Sequence, residues 1–165
     1  MSTATLTKQA IKLEEATGFI WAEADMLDRL DYRAWLPLWV EDGRYTIPVE
    51  QDGDDYENQL NVAHDDAVMR AARVKRLLSG FSMSAAPPAR TVRTISRFVV
   101  TRQDEASIAL RAAMVLVEYK YERTRVLAAN VDYRLVREDG AIKLDRKVVR
   151  LLNCDDFLHG IGYLL

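Results

Sequence analysis

Histidine, cysteine and paired carboxylates set what this chain can do by itself, and few are available. The sequence holds two histidines and one cysteine: His64, followed directly by Asp65 and Asp66, then Cys154 and His159 in the C-terminal part. A carboxylate that orients an imidazole makes a general base, so His64 with Asp65 or Asp66 is a candidate acid/base dyad. The plainer interpretation is the start of a helix, where Asp65 and Asp66 favour the positive end and His64 is an exposed neighbour. Iron is more restricted. A Rieske cluster takes two cysteines and two histidines, which a single cysteine excludes. A mononuclear site of two histidines and one carboxylate could use His64, His159 and Asp65 or Asp66 on paper, yet no spacing places both histidines on one face. No catalytic residue, cofactor or metal is therefore expected in this chain.

Other clusters favour structure over chemistry. Trp35 and Trp39, four apart on a short helical segment, suit core packing against a sheet. Arg70, Arg73 and Arg76 lack the interleaved aromatics that stack bases, and Asp66 is placed to pair with Arg70, so a solvated or subunit-contacting face is expected. Arg90, Arg93, Arg97 and Arg102 surround the strand after the prolines. Arginine is favoured in protein interfaces, which makes these four the candidate subunit interface.

The elements that must position these residues can be read from periodicity. Leu13, Ala16, Ile20, Ala24 and Leu27 recur at steps of three and four, predicting a helix with Glu23 off its apolar face. Gly18 within it marks close packing or a break. Pro37 separates a second short helix, Tyr32 to Val40, and Glu41-Asp42-Gly43 turns the chain into a strand from Arg44 to Val49. Residues 51–58 are an acidic loop, and Asn61 to Leu78 reads as a third helix ended by Ser79-Gly80. After the linker around Pro87-Pro88 the pattern is β: Thr91 to Arg102, Ile108 to Tyr121, Leu127 to Leu135, and Ile142 to Leu152 after the turn Glu138-Asp139-Gly140. The unbroken run Ala112 to Val117 predicts a strand covered on both faces. Helices first and a meander last make an α+β chain, expected as one domain over 1–165 with a strongly curved, mainly antiparallel sheet folded over the N-terminal helices.

Composition agrees with a globular protein and excludes several partners. At 165 residues, 49% hydrophobic and 29% charged with a net charge of −2, nothing points to nucleic acid or an acidic membrane. No secretory leader or long apolar run is evident, and a lone Cys154 makes no internal disulfide, so a cytoplasmic location is expected.

The stretch Trp35-Leu36-Pro37-Leu38-Trp39-Val40-Glu41-Asp42-Gly43-Arg44-Tyr45 resembles the small (β) subunit of aromatic-ring-hydroxylating dioxygenases, within the superfamily related to nuclear transport factor 2. The segments His64 to Val74 and Pro87 to Ser96, and the final hairpin up to Asn153, are similar to that family in the same order, whereas Cys154 to Leu165 is only loosely similar to its apolar C-terminus. The resemblance implies a cone-shaped fold and a non-catalytic partner of a catalytic α subunit. It also implies a homotrimer within an α3β3 assembly, with the Rieske cluster and mononuclear iron held by the α subunit in aromatic catabolism. Two alternatives stay open because the superfamily hosts them. One is a standalone dehydratase or isomerase using His64 with Asp65 or Asp66; the other is a non-catalytic ligand-binding module. In the isomerase branch a base projects into the cone shortly after the acidic turn, and Thr46-Ile47-Pro48 offers no carboxylate there.

Overall fold

Alternation at a period of two builds most of the molecule. The computed structural model describes residues 9–80, 86–154 and 160–165. Six strands, β1 (Trp39–Pro48), β2 (Asn61–Asp65), β3 (Arg90–Gln103), β4 (Ser107–Lys120), β5 (Arg123–Glu138) and β6 (Ala141–Leu151), form one sheet in the order β2-β1-β6-β5-β4-β3. Every neighbouring pair is antiparallel except β1 and β6, which run parallel. The helices are α1 (Leu13–Asp28), the single turn α2 (Tyr32–Trp35) and α3 (Ala67–Leu78). One sheet face packs under α1 and holds the core, including Tyr45, Leu116, Leu127, Tyr133 and Val149. Tyr163, Leu164 and Leu165 return into that core: the Tyr45 hydroxyl accepts from the Leu165 amide (3.0 Å) and donates to its carbonyl (3.3 Å).

The expected α+β architecture is present, with four local corrections. The third helix was expected from Asn61, but residues 61–65 are a strand and the helix begins at Ala67. Asp66 is its N-cap, accepting from the Met69 amide at 2.9 Å, and the residues before it satisfy the open edge of β1 by pairing with it. The second helix stops at Trp35, a 3₁₀ turn covers Leu36–Leu38, and the strand already starts at Trp39. The acidic turn is consequently an interruption inside β1, where the register against β6 jumps between Trp39 and Arg44. Gly43 is required there: a Cβ would sit 2.9 Å from the Trp39 ring and 3.1 Å from the Val40 carbonyl. Third, the run Ala112 to Val117 is covered on one face only: Ala112, Met114 and Leu116 are buried while Val115 and Val117 are exposed. Finally, Gly18 neither breaks α1 nor packs closely, since a Cβ there would meet nothing within 4 Å.

Candidate functional site

Two places can carry function: the interior of the cone and the sheet surface. In the interior, α1 delivers Glu23, which lies three residues after Ile20 and four before Leu27 and so shares their buried face, contrary to its expected position off it. Its Oε1 accepts from Lys147 Nζ on β6 at 2.7 Å and from Trp35 Nε1 on α2 at 2.9 Å. Both charged side chains are almost fully buried, at 1% and 2% exposure. The Lys147 ammonium also stands 5.7 Å from the centre of the Tyr133 ring. Burial pushes the Lys147 pKa down from its ordinary value, against the pull of Glu23, and burial pushes the Tyr45 and Tyr133 hydroxyls well up. Trp35, Trp39 and Tyr45 meet edge to face with ring centres 5.2 to 6.2 Å apart, so the tryptophan pair packs in the core as expected.

A second ionic tie closes the cone. Asp28 at the end of α1 accepts from Arg93 Nε (2.8 Å), the Arg93 amide (2.9 Å) and Thr91 Oγ1 (2.8 Å), and Arg93 Nη1 donates to the Leu164 carbonyl (3.0 Å). Arg93 is therefore a buried strut and not part of a surface, because on β3 it alternates inward with Thr91 and Ile95. The other three interface candidates are exposed. Arg90 lies over the Tyr119 ring at 4.8 Å, Arg97 donates to Asn130 Oδ1 at 2.5 Å, and Arg102 stands near the far end of β3.

The structure separates the members of the candidate dyad. His64 and Asp65 are neighbours on a strand, so their side chains point to opposite faces. Asp65 turns inward and pairs with Arg73, at 2.5 Å to Nε and 3.0 Å to Nη2. Asp66 caps α3. His64 turns outward, with Nδ1 2.9 Å from Thr46 Oγ1 and Nε2 3.0 Å from Glu57 Oε1. The carboxylate partner of His64 is thus Glu57, from the acidic loop, and both ring nitrogens are engaged. His159 lies outside the described residues, so the paper triad has no geometry here. Among the described residues, no group of three histidine, cysteine or acidic side chains is placed to hold a metal ion. Arg70 departs from the solvated strip expected of it: it is buried, stacks on Trp39 at 4.4 Å, and donates to the carbonyls of Gly43, Asp65 and Val40.

A groove of about 250 Å³ is lined by Leu30, Tyr32, Leu77, Pro88 and Tyr163 among others, with no acid, histidine or lysine among the described residues of its lining. Among the described residues no helix is long and apolar enough to cross a membrane. Glu23 with Lys147 and Asp28 with Arg93 were missed from the sequence, although each has a signal in the alternation of its element.

Comparison with known proteins gives one family. The family model described as "Ring hydroxylating beta subunit" matches residues 22–155. The small oxygenase component of the p-cumate 2,3-dioxygenase system of Pseudomonas putida is 26% identical over 164 residues, covering 89% of this chain and 89% of that protein. Among solved structures, the β subunit of benzoate 1,2-dioxygenase from Burkholderia mallei superposes with a TM-score of 0.77 at 22% identity, over 93% of this chain and 98% of that one. An NTF2-like protein with a cystatin-like fold from Novosphingobium aromaticivorans superposes with a TM-score of 0.58 at 16% identity, over 85% and 81%. The last two show the fold alone: the cone-shaped α+β fold expected from the sequence.

Proposed function

The chain belongs to the family of ring hydroxylating β subunits, and from that membership we propose that it is the non-catalytic small subunit of a multicomponent aromatic-ring-hydroxylating dioxygenase. It supports a catalytic α subunit, works in the cytoplasm, and forms a homotrimer within an α3β3 assembly. The Rieske cluster and the mononuclear iron belong to the α subunit. The residues of this chain do not fit either group: it has one cysteine, and both nitrogens of His64 are already hydrogen-bonded.

The family match over most of the chain carries this proposal. The geometry supports it over a standalone dehydratase or isomerase. An acid/base enzyme needs a base facing an accessible pocket, and here His64 faces away from the interior while Tyr163, Leu164 and Leu165 pack into it. Glu23 and Lys147, the charged pair inside, neutralise each other under a tryptophan.

Co-expression with the α subunit of the same host tests the proposal. The expected result is an equimolar complex that hydroxylates an aromatic substrate, with iron in the complex and none in the isolated small subunit. Stoichiometric iron in this chain alone, or turnover of a small substrate by it without any partner, would overturn it.

A further inference from the structure

Two surfaces at opposite edges of the sheet match each other in chemistry. On the sheet face turned away from α1, register aligns Val92 with Val117 and Val117 with Val126, and Val115 lies beside Thr94 and Ala128. These valines are exposed, Val92 at 68% and Val126 at 61%, so a continuous apolar strip crosses β3, β4 and β5 in the open. Exposed arginines frame it: Arg90 at one end, Arg97 and Arg111 at the other. Asp132, the register partner of Arg111, and Glu122, in the turn between β4 and β5, are its acidic neighbours.

The opposite edge has the reverse charge. From Tyr45 to Met69 the sequence has no lysine or arginine, while Glu50, Asp52, Asp54, Asp55 and Glu57 are exposed on the loop before β2. The loop is held in shape from behind: Arg150 donates to the carbonyls of Glu50 (2.6 Å) and Gly53 (2.9 Å) and to the Tyr56 hydroxyl (3.1 Å). Beside it Leu60, Val62, Val68 and Met69 are exposed apolar residues, Val68 at 77%. Each edge thus presents apolar contacts with a charged border, basic on one and acidic on the other.

We propose that the β3–β5 face of one copy docks on the β2 edge and acidic loop of a second copy. Different surfaces meet in such a contact, so it is heterologous, and a heterologous contact closes into a ring when its rotation permits. Steered encounter and discrimination against wrong partners follow from the opposed charges. This deepens the proposed function, on which it rests, by naming the surfaces through which copies of the small subunit assemble.

The test uses charge exchange in the full chain, measured by sedimentation and light scattering, alone and in the complex with the α subunit. Arg90→Glu with Arg97→Glu, and separately Asp54→Arg with Asp55→Arg, should each weaken self-association at least about tenfold, the scale of a few lost charge pairs. All four substitutions together should restore it, because the exchanged charges again oppose each other. Circular dichroism and melting of each variant identify those that fail to fold, and recovery in the fourfold variant is a signal that misfolding cannot produce. Self-association untouched by either reversal, a wild-type chain that stays monomeric in both settings, or a valine strip covered only by the α subunit would overturn the assignment. Formation of the α complex is read independently: if it survives while the reversals change nothing, the interface fails and the subunit function stands. If no α complex forms, the function fails whatever the self-association shows.

Discussion

Replacing Glu23 by glutamine tests how the interior of the cone is held. Lys147 is 2% exposed and its ammonium lies 2.7 Å from Glu23 Oε1. Glutamine keeps an oxygen that Trp35 Nε1 can still reach but removes the charge that compensates Lys147. Breaking one partner of a buried pair costs about 3–5 kcal/mol, most of it the uncompensated charge left behind. A domain of this length loses roughly 2–4 °C per kcal/mol, so melting should fall by roughly 6–20 °C. The pH dependence has a definite sign. Burial already lowers the Lys147 pKa from 10.5, and Glu23 opposes that shift; without Glu23 it falls further. A folded-state pKa below the unfolded one means the native state binds the proton more weakly. The resulting cost is fully present below the folded-state pKa and is relieved as pH rises from there toward 10.5. The stability gap between wild type and Glu23→Gln should therefore narrow between pH 7 and 10. Urea titrations followed by tryptophan fluorescence give the gap at each pH. Glu23→Gln with Lys147→Met should recover most of the loss, since an apolar replacement of both charges is often neutral. A loss under about 1 kcal/mol, against the 3–5 expected, or a gap that widens with pH, would refute the account.

Three further outcomes follow from local geometry. Asp66→Ala removes the N-cap of α3 and should cost about 1 kcal/mol in chemical denaturation. Gly18→Ala should stabilise the protein by about 0.5–1 kcal/mol, as alanine is the better helix former and its Cβ meets nothing within 4 Å; a lower melting temperature would contradict this. His64→Ala strips a hydrogen-bond partner from the buried Thr46 hydroxyl and should cost about 1 kcal/mol, while steady-state turnover of the complex with the α subunit stays unchanged; a loss of about a hundredfold or more with assembly intact would make His64 a general base.

The strands were legible because alternation survives in one dimension: Leu127, Ala129, Val131, Tyr133 and Leu135 are all buried on β5, as their spacing predicts. The third helix went wrong at its start for the same reason. Five residues are too few to distinguish a strand from a helical turn, and Asn61 to Asp65 pairs with β1, a partner distant in sequence, to become one. The dyad followed that error, since adjacent residues on a helix can share a side of the molecule while adjacent residues on a strand cannot.

The buried charges were missed for a different reason, and parity could have found them. Lys147 shares its alternation with Val149 and Leu151, Arg93 with Thr91 and Ile95, and Glu23 falls on the helix face of Ile20 and Leu27. A lone charge on an apolar face is costly unless an opposite charge meets it, so each such residue calls for a partner elsewhere. The sequence shows the demand but not the match, because Glu23 and Lys147 are 124 residues apart and only the closure of the sheet over α1 decides which charges meet. Arg93 was assigned to the surface by residue type, although its inward parity already excluded it. What remained at the surface, Arg90 and Arg97 beside the valine strip and Arg102 near the end of β3, is the part of the arginine cluster that no partner within the chain neutralises by an ion pair among the described residues, and such charges are the ones free to meet another subunit.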